Sequence, residues 1–246
     1  MKNFHWKIWL SFGLIGLSAG LYLLHYYFFR DARHIFLYLL GDIAFIPIDV
    51  LLVVLVLHQI ISNHEKQTML KKLNMVFGAF FSEMGTELLK EFIRFDSNAQ
   101  ELKNKLLVKK DWTQKEFTVL KGKLKDYKMQ VDARKGDLAK LRTLLAAKRE
   151  FLLRLLENPN LLEHNEFTGL LWAVFHLAEE LSFRGQVHSL PEADYEHLST
   201  DIKRVYILLV GEWVAHLKHL HRDYPFLFSL ALRTNPFDSM ASVVIK

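Results

Sequence analysis

The sequence contains no cysteine among its 246 residues, which excludes disulfide bonds in any compartment. It also lacks the patterns of common catalytic sites: a glycine-rich phosphate loop, a Gly-x-Ser-x-Gly elbow and a His-Glu-x-x-His run. Strand-like alternation is absent before the last few residues, and no segment of about 20 to 50 residues repeats. The chain is therefore predicted to be all-α and not to be an enzyme.

Two long hydrophobic runs dominate the N-terminal part, at residues 8–29 and 35–57, with only the connection 30–34 between them. Each run holds about 22 residues, and at about 1.5 Å per residue such a helix crosses a hydrocarbon core of about 30 Å. The first run is too long for a signal peptide, whose apolar part has roughly 7 to 15 residues. We predict a transmembrane hairpin over residues 1–57.

Charged residues beside these runs predict the orientation of the hairpin. Lysines flank the runs on the side of the termini, and arginines lie in the short connection. The lysines are Lys2, Lys7, Lys66, Lys71 and Lys72, and the arginines are Arg30 and Arg33. Since positive charge is retained on the cytoplasmic side, we expect an integral membrane protein with both termini in the cytoplasm.

The second run carries two carboxylates, Asp42 and Asp49, with Pro47 between them. An ionisable side chain in a spanning helix costs roughly 2.5 to 3.5 kcal/mol, so a partner, a cavity or a function has to compensate. Seven residues separate the acids, which places them on one helix face, and Pro47 leaves the carbonyl of Ile43 without its usual donor. Two interpretations stay open: protonated acids that hydrogen-bond across helices in an oligomer, or carboxylates that line a cation or proton path.

Glycines on the predicted helices indicate close helix packing. Gly13, Gly16 and Gly20 lie in the first run, where Gly16-x-x-x-Gly20 is the spacing that lets two membrane helices approach. Gly78 and Gly85 lie seven residues apart on a later helix, where glycine costs about 0.5 to 1 kcal/mol unless a close approach requires it. A tight helix contact is expected at Gly78 and Gly85. The two acids, Gly16 with Gly20 and an apolar stripe from Met69 to Phe92 lack sufficient partners within one hairpin, which predicts a homo-oligomer.

Positive charge is concentrated in residues 101–149, which carry 15 basic and 6 acidic side chains. We predict that residues 99–157 form a basic helical arm or coiled-coil hairpin, either solvated or attracted to anionic lipid headgroups. Nucleic acid is an unlikely partner because no nucleic-acid motif accompanies the charge. The lysines of the predicted lipid contact are Lys103, Lys105, Lys109, Lys110, Lys121, Lys123 and Lys125.

The remaining segments of the chain are predicted to form amphipathic helices and a C-terminal tail. Residues 58–98 carry an apolar stripe at three- and four-residue steps and predict an amphipathic juxtamembrane helix. A long helix is expected over 137–156, followed by a helical bundle over 158–234. Residues 235–246, with turn signals and then a short β-branched run, predict an extended C-terminal tail.

Histidine is the remaining residue type that could carry chemistry, with 12 copies in the chain. His176 with Glu179 and Glu212 with His216 could each share a helix face, as metal-binding bundles require. Neither pair has the Glu-x-x-His form of a carboxylate-bridged di-metal site. The alternative is ordinary histidines beside acids on amphipathic helices, with no cofactor.

Two functions are therefore expected. The first is a membrane-anchored homo-oligomer whose cytoplasmic helices form a scaffold or signalling platform. The second is an oligomeric cation or proton channel or transport component, with Asp42 and Asp49 lining the path.

Overall fold

A computed structural model describes residues 2–125, 127–161 and 164–244, without the side chains of residues 2–5, 7–8, 66–67, 70–71, 125 and 160. Only the backbone is therefore described for five lysines named above, four of which were used for orientation; they are Lys2, Lys7, Lys66, Lys71 and Lys125. The chain divides into two compact units, Met1–Lys66 and Gln67–Lys246, here called the hairpin unit and the helical domain.

The hairpin unit consists of α1, Lys2–Phe29, and the first part of α2, Ala32–Phe80. Arg30 ends α1 with a left-handed backbone, φ 48°, and its N–H donates to the carbonyl of Tyr26. The carboxylate of Asp31 then accepts the N–H of His34 at 3.1 Å, which satisfies one free donor at the start of α2. Pro47 lies inside α2, which continues past it.

Within the part of the chain that the structure describes, two helical segments are long and apolar enough to cross a membrane: Trp9–Phe29 and Ala32–Glu65. No part of their most apolar stretches is buried inside the protein, and large side chains such as Trp9, Phe12 and Leu51 are exposed. Length and composition thus agree with the two apolar runs of the sequence.

The helical domain begins with the last part of α2 and a π-helical turn, Phe81–Gly85, which we call the π-turn. Among the described residues, eight α-helices and one short 3-10 helix, Pro159–Leu161, follow. The α-helices are α3 Thr86–Phe95, α4 Ala99–Lys105, α5 Gln114–Lys125, α6 Leu138–Ala147, α7 Arg149–Leu156, α8 Asn165–Phe183, α9 Glu192–Asp223 and α10 Pro225–Arg233. The carboxylate of Asp137 caps α6 by accepting the N–H of Lys140 at 2.9 Å. Lys148 separates α6 from α7 within the stretch predicted as one helix.

One hydrophobic core fills the helical domain and runs from Leu73 to Phe237. The long helix α9 packs against α3, α5, α8 and α10, and it buries Tyr206 completely among aromatic and aliphatic side chains. The segment 99–157 contributes Leu102, Phe117 and Leu152 to this same core. The described part of the chain is all-helical, with a single isolated bridge between Asp96 and Val131 instead of a strand.

Candidate functional site

The π-turn interrupts the helix that leads from α2 into α3. The backbone N–H and the hydroxyl of Thr86 both donate to the carbonyl of Phe81, the hydroxyl at 2.8 Å, so the local hydrogen bond spans five residues instead of four. Such π-helical turns are rare in proteins. Where they do occur, they often lie at functional sites. Here the wider turn places the buried ring of Phe81 against α9, where it stacks on His216.

A cavity of about 710 Å³, which we call the π-turn cavity, opens beside this turn. Its apolar wall comes from the π-turn, α9 and α10. The wall consists of Phe81, Trp213, Leu220, Leu227, Leu230 and Ala231. Its charged wall comes from α3 and α6. The charged side chains are Glu87, Lys90, Glu91, Arg94 and Lys140. A volume of this size with an apolar lining and a few polar groups is typical of small-molecule sites.

His216 brings a buried polar atom to the cavity. The residue is 8% exposed, and its Nδ1 has no hydrogen-bond partner within the described ranges. Burial, followed by the charge of His219, lowers the pKa of His216 to about 4, so the imidazole is neutral at pH 7. A neutral imidazole offers one donor and one acceptor, which makes His216 a hydrogen-bonding group for a bound molecule.

Glu91 is the second buried polar group of the cavity, at 3% exposure. Its Oε1 accepts from the ammonium of Lys140 at 2.6 Å, and its Oε2 lies 3.4 Å from the guanidinium of Arg94 without a hydrogen bond. The pairing joins α3 to α6, 49 residues apart in sequence. Because a buried carboxylate needs such partners, Lys140 and Arg94 are held at the rim of the cavity.

Positive charge continues from this rim into an adjoining cavity of about 390 Å³. Lys90 and Arg94 border both cavities, and Lys103 and Arg233 border the second one, which also contains Asp238. Lys90 and Lys103 have no ion-pair partner among the residues described. The edge shared by the two cavities thus carries Arg94, which pairs with Glu91, and Lys90, for which the described chain offers no acidic partner.

The hairpin unit contains a separate polar cavity of about 490 Å³ between α1 and α2. Asp42 borders it together with His25, His34, Tyr22 and Tyr38. The rings of His25 and His34 are parallel, with centroids 6.1 Å apart, and Nδ1 of His25 is buried without a hydrogen-bond partner in the described chain.

The other candidate residues of the two apolar helices lie elsewhere on the hairpin unit. Asp49 and Pro47 do not border this cavity, and Asp49 is exposed. A side-chain carbon added at Gly13, Gly16 or Gly20 would meet no atom within 4 Å, so these glycines have no packing partner in the single chain as described. The predicted role of all five residues in an oligomer stays a prediction.

Gly78 and Gly85 have different surroundings in the helical domain. A carbon added at Gly78 would come within 3.9 Å of His216, which is ordinary contact. At Gly85 it would lie 2.7 Å from the ring of Phe81 and 2.9 Å from the ring of Phe80. Gly85 is therefore required by the aromatic side chains of its own turn, which include the ring that stacks on His216.

The predicted metal pairs do not come together. His176 lies 3.5 Å from the carboxylate of Asp201 and 4.0 Å from Glu180, while Glu179 takes no part in these contacts. His197 approaches the same two acids. Across the described ranges, no group of three or more His, Asp or Glu side chains is set to hold a metal ion.

Glu212 and His216, the second predicted metal pair, border different cavities. His216 borders the π-turn cavity, whereas Glu212 borders another cavity with Lys121 and Glu166. Burial, followed by repulsion from Glu166, raises the pKa of Glu212 to about 7. Glu212 is thus partly protonated near neutral pH.

The lysines of the predicted lipid contact are spread over α4, the loop after it and α5. Lys105 pairs with Glu101 at 2.6 Å and Lys121 pairs with Glu166 at 3.4 Å. Lys123 borders a third region near Trp112, and Lys109 and Lys110 are exposed in the loop. Among the lysines of this group whose side chains are described, only Lys103 borders the adjoining cavity of about 390 Å³.

The sequence analysis did not identify Lys90, Arg94 or Lys140 as site residues. Lys90 and Arg94 lie four apart on one face of α3, which is a visible spacing, but Lys140 reaches them only through the fold. The buried position of His216 follows from its place on the apolar side of α9.

Comparison with known proteins gives a full-length relative. Residues 69–233 match a family described as the C-terminal helical domain of uncharacterized protein MJ1433, and residues 2–61 match a family described as its N-terminal helical domain. Uncharacterized protein MJ1433 of Methanocaldococcus jannaschii is 43% identical over 244 residues, which is 99% of this chain and 98% of the relative. No solved structure matches the chain.

Proposed function

We propose that this chain, which belongs to the MJ1433 family, is a membrane-anchored homo-oligomer whose helical domain is a signalling platform or scaffold that binds a small molecule in the π-turn cavity. The spans Trp9–Phe29 and Ala32–Glu65 anchor the protein, since their exposed apolar side chains need a nonaqueous surrounding. Both termini and the helical domain lie in the cytoplasm.

The observation that carries this proposal is the pair of buried polar side chains at the cavity. His216 and Glu91 each keep one buried atom without a hydrogen bond within the described structure. An unsatisfied buried polar atom costs about 1 to 3 kcal/mol, and a bound molecule with polar groups removes that cost. The π-turn, which is itself a rare departure from α-helix, shapes the same cavity.

Anchoring is tested by extraction of membranes from expressing cells. The full-length chain is expected to remain in the membrane after alkaline carbonate and to dissolve only in detergent. Mass measurement in a mild detergent then tests the oligomer. Release by carbonate would contradict the anchor, and a monodisperse monomer would contradict the assembly.

Ligand binding is tested by a thermal-shift screen of chemically diverse small molecules on the full chain. Ala231→Trp fills part of the π-turn cavity from α10 and serves as the negative control. We expect at least one class of molecule to raise the melting temperature of the wild type and not of Ala231→Trp. If every stabilising molecule acts equally on both proteins, the cavity is not the binding site and the proposal fails.

A second candidate function is a cation or proton path, favoured by the polar cavity of the hairpin unit. Asp42 shares this cavity with His25 and His34, which are groups that can exchange protons or bind cations. Since two helices cannot enclose a pore, the path requires several copies of the chain.

Asp42→Asn tests the path in proteoliposomes, with Asp49→Asn as the matched control. Both changes remove one carboxylate from α2, but only Asp42 borders the cavity. We expect Asp42→Asn to lower cation or proton flux while Asp49→Asn keeps it. Absence of flux in assembled wild-type protein, over a range of pH and voltage, would exclude this function.

A further inference from the structure

We infer that the π-turn cavity binds an amphipathic anion: a molecule with one phosphate or carboxylate group, an apolar body and a second polar group near His216. This inference rests on the ligand-binding function proposed above and names the class of ligand. Three features of the cavity lead to it.

The first feature is the charge at the α3 edge. Three cations border the π-turn cavity against two carboxylates, and Glu91 already engages Lys140 and Arg94. Lys90 has no acidic partner in the described chain and stands on the edge shared with the adjoining cavity, where Lys103 and Arg233 lie. An anionic group at this edge complements the positive charge of Lys90.

The second feature is the extent of the apolar wall. Phe81 and Trp213 are buried, and Trp213 is fixed by an edge contact with Phe237 at a centroid distance of 5.2 Å. Leu227 and Leu230 also border the cavity, yet they are 40% and 42% exposed. An apolar body laid on this wall removes their surface from water, at about 25 cal/mol per Å². A free inorganic ion would leave the wall exposed.

The third feature is the depth at which polar groups lie. His216 is buried next to Phe81, with Nδ1 unpaired in the described structure, whereas the cations Lys90 and Arg94 are exposed at the rim. A ligand that places its charge at the rim and its apolar body inward therefore reaches His216 with a neutral hydroxyl or carbonyl group. A charged group is disfavoured there, because a neutral imidazole gives it one hydrogen bond and no opposite charge.

The experiment uses full-length protein in nanodiscs of zwitterionic phosphatidylcholine and isothermal titration calorimetry. The probes are octyl phosphate, octanol and inorganic phosphate, each below the concentration at which it aggregates. We expect octyl phosphate to bind at least about tenfold more tightly than either other probe, since only it uses the cationic edge and the apolar wall together. Ala231→Trp nanodiscs give the background from partition into lipid.

Variants connect the binding to the three features. Lys90→Ala is expected to weaken octyl phosphate binding about tenfold, while Lys203→Ala, an exposed lysine of α9 away from the cavity, leaves it unchanged. His216→Phe keeps a ring against Phe81. It is expected to abolish the added affinity, relative to octyl phosphate, of a probe that carries a hydroxyl at the far end of its octyl chain, since only that group reaches His216. Circular dichroism of each variant establishes that it is folded.

A second arm distinguishes a soluble ligand from a membrane lipid of the same chemistry. If the ligand is a membrane lipid, nanodiscs with about one-fifth phosphatidylglycerol should compete with octyl phosphate and weaken its apparent binding. If the ligand is a soluble molecule, these nanodiscs should leave the titration with octyl phosphate unchanged. Either result supports the inference.

Two results overturn it. Equal affinity for octyl phosphate and octanol would show that charge does not select the ligand; the ligand-binding function would then stand with a neutral ligand. Equal binding of octyl phosphate to the wild type, Lys90→Ala and Ala231→Trp would place the probe outside this cavity.

Discussion

The imidazole of His216 stacks on the ring of Phe81, with centroids 5.0 Å apart and an angle of 16° between the planes. The two residues come from the π-turn and α9, and both border the cavity. The stack holds a neutral histidine in a buried position where its Nδ1 finds no partner among the described residues. A polar atom kept in this way lowers the stability of the empty protein and is available to a ligand.

His216 is expected to make the protein less stable in acid. Its pKa of about 4 in the folded state lies below the usual 6.5, so the unfolded chain takes up the proton first. The contribution of neutral His216 to the free energy of unfolding is complete above pH 6.5 and is lost as the pH falls towards 4. His216→Phe should remove this loss, which amounts to about 1 to 2 kcal/mol between pH 6.5 and 5.

Denaturant unfolding of the full chain at pH 5 and 6.5, followed by circular dichroism, measures the effect. His188→Gln, at an exposed histidine, serves as the control. An equal acid loss in the wild type and His216→Phe would show that His216 is not neutral and buried in solution.

Glu212 is expected to have the opposite pH dependence. Its pKa of about 7 lies above the usual 4.5 because the side chain is buried and Glu166 is near, and Lys121 opposes the shift only in part. The folded state therefore holds the proton more tightly, and stability that is complete below pH 4.5 is lost as the pH rises through 7. Glu212→Gln should remove a loss of about 2 kcal/mol between pH 5 and 8.

The control for this measurement is Glu196→Gln, at an exposed glutamate of the same helix. In the wild type, His216 and Glu212 partly cancel between pH 5 and 6.5, so their opposite slopes become visible only in the single variants. A Glu212→Gln protein that keeps the alkaline loss would contradict the assignment.

The fold class and the two apolar helices could be predicted because they depend on local patterns: run length and a three- to four-residue period. The site could not, because its parts meet only in the fold. Lys140 reaches Glu91 across 49 residues, and His34 comes beside His25 only because Arg30 adopts a positive φ in the tight connection.

Small differences in position also decide which residues meet. The expected partner of His176 was Glu179, but Glu180 on the next position faces it, together with Asp201 from α9. The π-turn changes the register of the helix after Phe80. The residue pattern of 81–85 does not predict this turn.

Lys140 is expected to stabilise the fold through the carboxylate of Glu91. Lys140→Ala removes the 2.6 Å contact and leaves Glu91, which is 3% exposed, with Arg94 alone. A buried carboxylate without adequate partners is unfavourable, so the free energy of unfolding should fall by about 1 to 3 kcal/mol. Because Lys140 itself is about half exposed, the lower part of this range is expected.

The double variant Glu91→Gln with Lys140→Ala tests the cause. It should recover part of the lost stability, since a neutral amide is less costly to bury than an unpaired carboxylate. Lys203→Ala controls for the loss of a surface lysine. If the double variant is less stable than Lys140→Ala alone, the buried charge is not the source of the loss.

The last prediction concerns assembly through α1. Gly16 has no atom near the position of an added side chain in the single chain as described, so Gly16→Leu should leave the protomer folded. If Gly16-x-x-x-Gly20 packs against a second copy, the larger side chain separates the two backbones and weakens the oligomer. Gly41→Leu, at a glycine of α2 with equally open surroundings, is the matched control and should keep the mass of the wild type. Multi-angle light scattering in a mild detergent decides, and an unchanged mass for Gly16→Leu would exclude α1 as the packing surface.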